Sequence, residues 1–484
     1  MAEARRSLSD GLDRFATAAL LASVVAIPIT RSIDLPIVGP RLTIFEVVAF
    51  PMILAWLAAR TVSRSWRTVS VSRRLDGALA AYWVVAAMSG VTAYRILGQK
   101  ALLPFSTEMA VLSYLLLFFL ATRDLLVRRH AMSLLFDAWS VSTIVVGLVG
   151  LVGLGEMLRC AVPLSGLVYG SGRLLSTFRN PNQVAAYMVP TVMLFSALWA
   201  SRPATPLHRL VVPAAVLSVT VMYFAASRGG AVAAAFGWLC LVALPRWPPL
   251  VRVVGALMLF VLVLAGASLV LKSSGNSCFA YVSNTLTTMT IQLPTSIRLA
   301  QGIASQADEA TVAEGQTIPI GSDTATSFAF RKVMARMAFN FARQHPLTGV
   351  GVGTMHVHVQ ESTLTHADVD AHNMAMTLLA ETGFLGLALF AWSLGWFAWM
   401  SLVAFRRTTD PQLRALRVGL LVALLAYLVM TLSFDGQRQR VLWTLLAVIY
   451  ASLHDGVLGV GGVPVTASDR TAGSAVSVPE TLAV

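Results

Sequence analysis

Apolar residues run along this chain in long blocks separated by short, polar and mostly basic segments. Blocks that approach or exceed the roughly 18 to 20 residues of a bilayer-crossing helix fall at 15–30, 42–59, 76–94, 107–122, 133–155, 182–200, 209–227, 229–245, 250–271, 373–404, 417–434 and 440–455. The pattern predicts an all-α polytopic membrane protein with about 12 transmembrane helices. Nine of them lie within residues 1–271, a hydrophilic loop spans 272–371, three more helices lie within 372–458, and a tail covers 459–484. The first half of the loop is Ser/Thr/Gln-rich and reads as irregular. Its second half, "SFAFRKVMARMAFNFARQHP", repeats apolar and basic residues at helical spacing up to Pro346. That predicts an amphipathic helix, followed by the turn "HPLTGVGVG". The Gly/Ser/Thr/Val-rich tail reads as disordered.

Charge sets the expected orientation. If the N-terminus is cytoplasmic, the inner segments hold 19 Arg and Lys against 10 in the short outer loops, as the positive-inside bias requires. Both termini are then cytoplasmic, and the large loop lies outside. The first block follows Arg5, Arg6 and Arg14 and lacks a small-x-small cleavage site, so it reads as a retained span and not a signal peptide. Composition fits: 56% of residues are hydrophobic and 12% charged, about half the charged share of a soluble domain. The net charge of +13 is spread between spans, which topology explains without a nucleic-acid partner. Three cysteines without a C-x-x-C pair (Cys160, Cys240 and Cys278) exclude a disulfide scaffold or a cysteine zinc site. Cys160 and Cys278 both map outside, leaving a disulfide between them open, while Cys240 lies within a span. A carrier built from repeats would show two matching halves, and this layout of nine spans, a loop and three spans does not.

The outer-face residues carry the candidate chemistry. "RLLSTFRNPNQVAAY" holds Arg173, Arg179, Asn180, Pro181 and Asn182. Asn-Pro-Asn is a helix-start signal, yet capping needs neither arginine. The outer turn "SRGG" is so short that Arg228 sits near headgroup level, costly unless it is paired, snorkels or lines a wet cavity. Arg331 opens the amphipathic helix, with Arg336 and Arg343 further along. The bland reading of the latter two is a basic helix on anionic headgroups. His345, His356, His358, His366 and His372 cluster within the loop, without carboxylates or thiols at established zinc spacing. His372 precedes Asn373 at the mouth of span ten, where a neutral imidazole can accept a proton. Glu381, further into that span, reads as a structural carboxylate that pairs with a buried arginine or orients the helix, and not as a proton-transfer group. Arginine forks suit phosphate oxygens and a histidine suits activation of a hydroxyl. Together they fit transfer of a group from a lipid pyrophosphate to an alcohol.

"STFRNPNQVAAYM", "SRGG", an arginine fourteen residues before "HPLTGVGVGTM", and "AHNMAMTLLAETGFLGLALF" stand in that order. Over about residues 173–404 the chain resembles the O-antigen ligase and polymerase superfamily of bacterial membrane glycosyltransferases. The resemblance implies a C-type glycosyltransferase fold with no cofactor and no metal, in the bacterial inner membrane with a periplasmic loop. It implies a donor glycan on undecaprenyl pyrophosphate and, for a ligase, a lipid A-core acceptor. A polymerase of the same architecture would instead take another glycan repeat, and a transporter is the remaining reading from a different class. Arg228, Arg331 and His372 match the family's pyrophosphate-holding and acceptor-activating positions. Arg173, Arg179, Asn180, Asn182, Arg336, His345 and Asn373 are the expected substrate-binding set. Two departures stand out: Arg179 occupies the place of a usual glycine, and Ala335 that of a frequent aromatic.

Overall fold

The structure is a computed structural model that describes residues 2–30, 32–33, 42–64, 72–159, 166–169, 172–201, 208–244, 248–276, 279, 282, 324–361 and 372–454. Each of the twelve predicted blocks is helical. They form α1 (Ala2–Ala26), α2 (Ile44–Ser63), α3 (Arg73–Leu97), α4 (Leu102–Arg128), α5 (Met132–Arg159), α6 (Pro181–Ser201), α7 (His208–Phe224), α8 (Arg228–Ala243) and α9 (Pro248–Ser273). The loop contributes α10 (Thr324–Gln344) and the short α11 (Met355–Glu361). The last three blocks are α12 (Met374–Arg407), α13 (Pro411–Met430) and α14 (Arg440–Ser452). Among the described residues, seven helical segments are long and apolar enough to cross a membrane, α3 and α4 running together as one; α7, α8 and α14 are shorter apolar helices. Cys240 is a free thiol, whereas Cys160, Cys278, the first half of the loop and the tail lie outside the described residues.

An apolar stripe all round a helix must be covered by protein or by lipid, and the chain uses both. The centre of the bundle is α6, α13 and α14: Val184–Val189, Val418–Leu424 and Leu442–Ala451 are almost wholly buried. By contrast α9 exposes Leu259, Leu262, Val263, Leu269 and Val270, and α2, α3 and α5 expose apolar residues along one side. Those faces match lipid.

Charged groups sort to the two ends of the bundle. At one end Asp124 is fully buried, accepts from Trp56 Nε1 at 2.9 Å and from Arg128 Nε at 2.8 Å, and lies 3.5 Å from Arg60 Nε. Arg60 also pairs with Asp13, and Arg123 pairs with Asp76. These buried charges are tolerable because each is paired and hydrogen-bonded. They also explain why α1 begins at Ala2, well before its apolar block at 15: Asp10 and Asp13 are fastened to Arg129 and Arg60.

At the other end α10 docks on α12. The contact exists because α12 is broken: Gly383 has φ 69° and ψ −171° inside an otherwise regular helix, a conformation essentially reserved for glycine. The break frees carbonyls that the turn after α10 reads. Val350 N donates to Ala380 O at 2.8 Å and Gly351 N to Glu381 O at 3.1 Å, and Phe384 N donates back to Pro346 O at 2.8 Å. The sequence "HPLTGVGVG" is thus a latch on "AETGF". It fixes α10 against the membrane-embedded helices.

Candidate functional site

The site is assembled at the loop-side end. Two-residue strands β1 (Val168–Tyr169) and β2 (Arg173–Leu174) form a hairpin that leads into the Asn-Pro-Asn turn. Ser176 takes a positive φ of 52° and donates to Val146 O at 2.8 Å, while Thr177 Oγ1 donates to Pro28 O at 2.9 Å. Asn180 starts α6 as its sequence suggests, its Oδ1 accepting from Asn182 N at 2.8 Å and its carbonyl from Gln183 N at 3.0 Å.

Asn182 and Arg173 then act on the neighbouring turn. Asn182 Oδ1 accepts from Ser227 Oγ at 3.1 Å and from Arg173 Nη2 at 3.3 Å, and Arg173 Nε donates to Ala225 O at 3.1 Å. Ser227 is the N-cap of α8, its Oγ accepting from Gly230 N at 3.3 Å. Both residues therefore fasten the turn that presents Arg228. Next to it, a Cβ on Gly229 would fall 1.8 Å from Ser433 Oγ. That glycine lets α8 abut the 3-10 turn Thr431–Ser433.

The same turn receives the start of α12. Asn373 is the N-cap, its Oδ1 accepting from Ala375 N at 2.9 Å and Met376 N at 3.2 Å, and its Nδ2 donates to Leu432 O at 3.0 Å. His372, exposed and at φ 49°, immediately precedes it. Thr431–Ser433 thus gathers Arg228 on one flank and His372–Asn373 on the other.

Arg331 comes in from α10. Burial lowers its pKa below the usual arginine value, and the positive charge of Arg228 lowers it further. Two guanidinium groups 103 positions apart in sequence are held close enough to repel. Arg336 lies on the exposed side of α10. His345 follows the last turn of that helix, about 21 Å from Arg331 at 1.5 Å per residue. Its carbonyl accepts from Gly349 N and packs on Gly383, so the structure places it at the latch and does not bring it to Arg228 and His372.

A second basic group was missed by sequence reasoning. The linker "FDGQRQR", residues 434–440, joins α13 to α14 with Asp435 and Gln437 buried. Arg438 donates to both oxygens of Glu381, at 3.0 and 3.2 Å, and pairs with Glu108 at 3.0 Å. This is the arginine partner expected for Glu381. Arg440 holds Glu46, which also accepts from Tyr114 at 2.9 Å. Arg179, Gln183, Arg438, Gln439 and Arg440 line a cleft between α6 and the ends of α1 and α2. The usable signal was two arginines within the seven residues that join the last two spans.

The arrangement offers fixed positive charge, a titratable ring at its rim and an adjoining polar cleft, in a bundle whose outer faces suit lipid. No curated protein matches the chain. A family model described as O-antigen ligase matches residues 213–391, from within α7 to about the middle of α12. That segment carries Arg228, Arg331 and His372 together, and over it the chain, a multi-pass membrane protein by its helices, is similar to the O-antigen ligase family.

Proposed function

We propose that the protein is a metal-independent, inverting glycosyltransferase that passes a glycan from undecaprenyl pyrophosphate to a hydroxyl of a lipid A-core acceptor. The observation that carries this reading is the convergence of Arg228 and Arg331 beside the His372 turn. Two guanidinium groups within electrostatic reach of each other make a setting that an anion with several oxygens can bridge. A pyrophosphate supplies those oxygens, and guanidinium forks match them in bidentate fashion.

In the proposed reaction the acceptor oxygen attacks the anomeric carbon opposite the leaving group, and the bond from that carbon to the pyrophosphate oxygen breaks. His372 takes the acceptor proton. Undecaprenyl pyrophosphate leaves with its added negative charge, which Arg228 and Arg331 stabilise. The reaction takes place on the periplasmic face of the inner membrane, with both termini in the cytoplasm. Asn373 and the Asn182–Arg173–Ser227 set hold the two turns in register.

Full-length protein, purified and supplied with lipid-linked glycan and lipid A-core, tests this directly. His372→Ala is expected to abolish transfer while keeping donor binding; retained turnover removes the general-base role. Arg228→Ala and Arg331→Ala are each expected to lower transfer by about 100- to 1,000-fold, the size seen when one charge-stabilising donor is lost. Lys at either position should recover little, because the fork is lost. Transfer should survive exhaustive chelation. Wild-type protein that extends a second lipid-linked repeat but ignores lipid A-core would make the enzyme a polymerase. Transport of the lipid-linked glycan without transfer would overturn the enzyme reading.

A further inference from the structure

The cleft beside the arginine pair has a chemistry of its own. It lies on the other flank of the first turn of α6: Asn182 faces Ser227 and Arg173, and Gln183, one residue and about 100° further round the helix, lines the cleft. Gln183 Oε1 is shut off from solvent and, among the described residues, accepts no hydrogen bond. A buried acceptor without a donor costs roughly 1–3 kcal/mol, so the position favours a ligand that brings an O–H or N–H. Arg179, exposed where its backbone N–H donates to Thr30 Oγ1 at 3.1 Å, supplies positive charge at the mouth. Arg440 is locked in place by Glu46, and no carboxylate is found among the described lining residues. Phe178 and Tyr187 form an aromatic wall with ring centroids 5.7 Å apart. The Tyr187 hydroxyl is turned away to donate to Ser142 Oγ at 3.1 Å, which leaves the ring, not the hydroxyl, to contact a ligand. The volume is about 190 Å³, below the roughly 300–1,000 Å³ of pockets for drug-sized ligands, room for about one sugar unit.

We infer that this cleft is the acceptor-side saccharide site and that it selects a sugar carrying an acidic group, a phosphate or a carboxylate. The inference rests on the glycan-transfer reading, because the arginine pair is there assigned to the donor pyrophosphate and a second substrate must reach the same rim. Gln183 accepts from a sugar hydroxyl, the aromatic wall meets a C–H face, and Arg179 holds the acidic substituent.

Calorimetric titration of the full-length protein in detergent separates the two sites, with glucose 6-phosphate, glucose, inorganic phosphate and inorganic pyrophosphate as probes. Glucose 6-phosphate is expected to bind at least tenfold tighter than glucose or inorganic phosphate. Arg179→Ala and Gln183→Leu should each weaken it about tenfold and leave pyrophosphate within threefold of wild type. Arg179 is exposed, so its replacement leaves the fold intact, and an unchanged elution profile checks Gln183→Leu. Binding no tighter than inorganic phosphate reduces the cleft to an anion site and overturns the inference. So does the absence of binding, or an affinity that follows Arg228→Ala instead of Arg179→Ala. Pyrophosphate binding that ignores Arg228→Ala and Arg331→Ala would instead overturn the donor assignment, whatever glucose 6-phosphate does.

Discussion

Replacing Gly383 by alanine attacks the latch that positions Arg331. The residue sits at φ 69° and ψ −171°, where a side chain costs about 1–3 kcal/mol in backbone strain alone. Its Cβ would fall 2.5 Å from Pro346 O and 2.9 Å from His345 O. Both are backbone atoms and cannot swing aside like the end of a side chain. Clearing them means withdrawing the turn, which stretches the Phe384 N to Pro346 O bond of 2.8 Å and adds about 1–3 kcal/mol of overpacking. The docked state therefore loses about 2–6 kcal/mol relative to the undocked one by these combined costs. At about 1.4 kcal/mol per factor of ten, hydrogen exchange in peptides covering 346–354 and 380–386 should speed up by at least about 30-fold. Glycan transfer should fall with it, as α10 no longer holds Arg331 beside Arg228. Gly395→Ala is the control: same helix, exposed, with nothing within 4 Å of the added carbon, and exchange should match wild type. Unchanged protection in Gly383→Ala would show that the latch does not depend on the broken helix.

Arg438→Ala leaves Glu381 buried without its guanidinium and should destabilise by about 3 kcal/mol or more; the double variant Arg438→Met/Glu381→Leu should recover most of that in thermal unfolding, and a single-variant loss below about 1 kcal/mol would deny the pair its role. Asn182→Leu removes the oxygen joining Arg173 to Ser227, and transfer should drop about tenfold, the worth of one hydrogen bond to a charged group, in protein that still folds. Asn182→Asp keeps the acceptor oxygen and should keep most of the rate; equal losses in both would mean that Asn182 does something other than hold the turn.

How much of this the sequence disclosed depends on whether a residue's role is local or tertiary. Helical blocks are local, because a long apolar run has few alternatives in a membrane, and every block became a helix. The starts of α6 and α12 were legible for the same reason: Asn180 and Asn373 satisfy amides two or three residues on. Arg173 and Asn182 were legible as unusual but not in their role, since their partners Ala225 and Ser227 lie more than forty residues away. The segment 434–440 was the largest loss. Seven mostly polar residues between two spans look like a solvated loop, and only the packing of Glu381, Glu108 and Glu46 around it turns Arg438 and Arg440 into interior groups. The kink has the same origin. "ETGF" within an apolar run reads as continuous helix, and nothing local distinguishes a helix glycine that merely weakens it from one that breaks it to expose carbonyls. The difference lies in the donors of "HPLTGVGVG", more than thirty residues earlier, which reward the broken form with hydrogen bonds the straight helix could not accept. A glycine in an apolar helix and a glycine-rich turn ahead of it are therefore informative only as a pair, and here that pair sets where Arg331 stands.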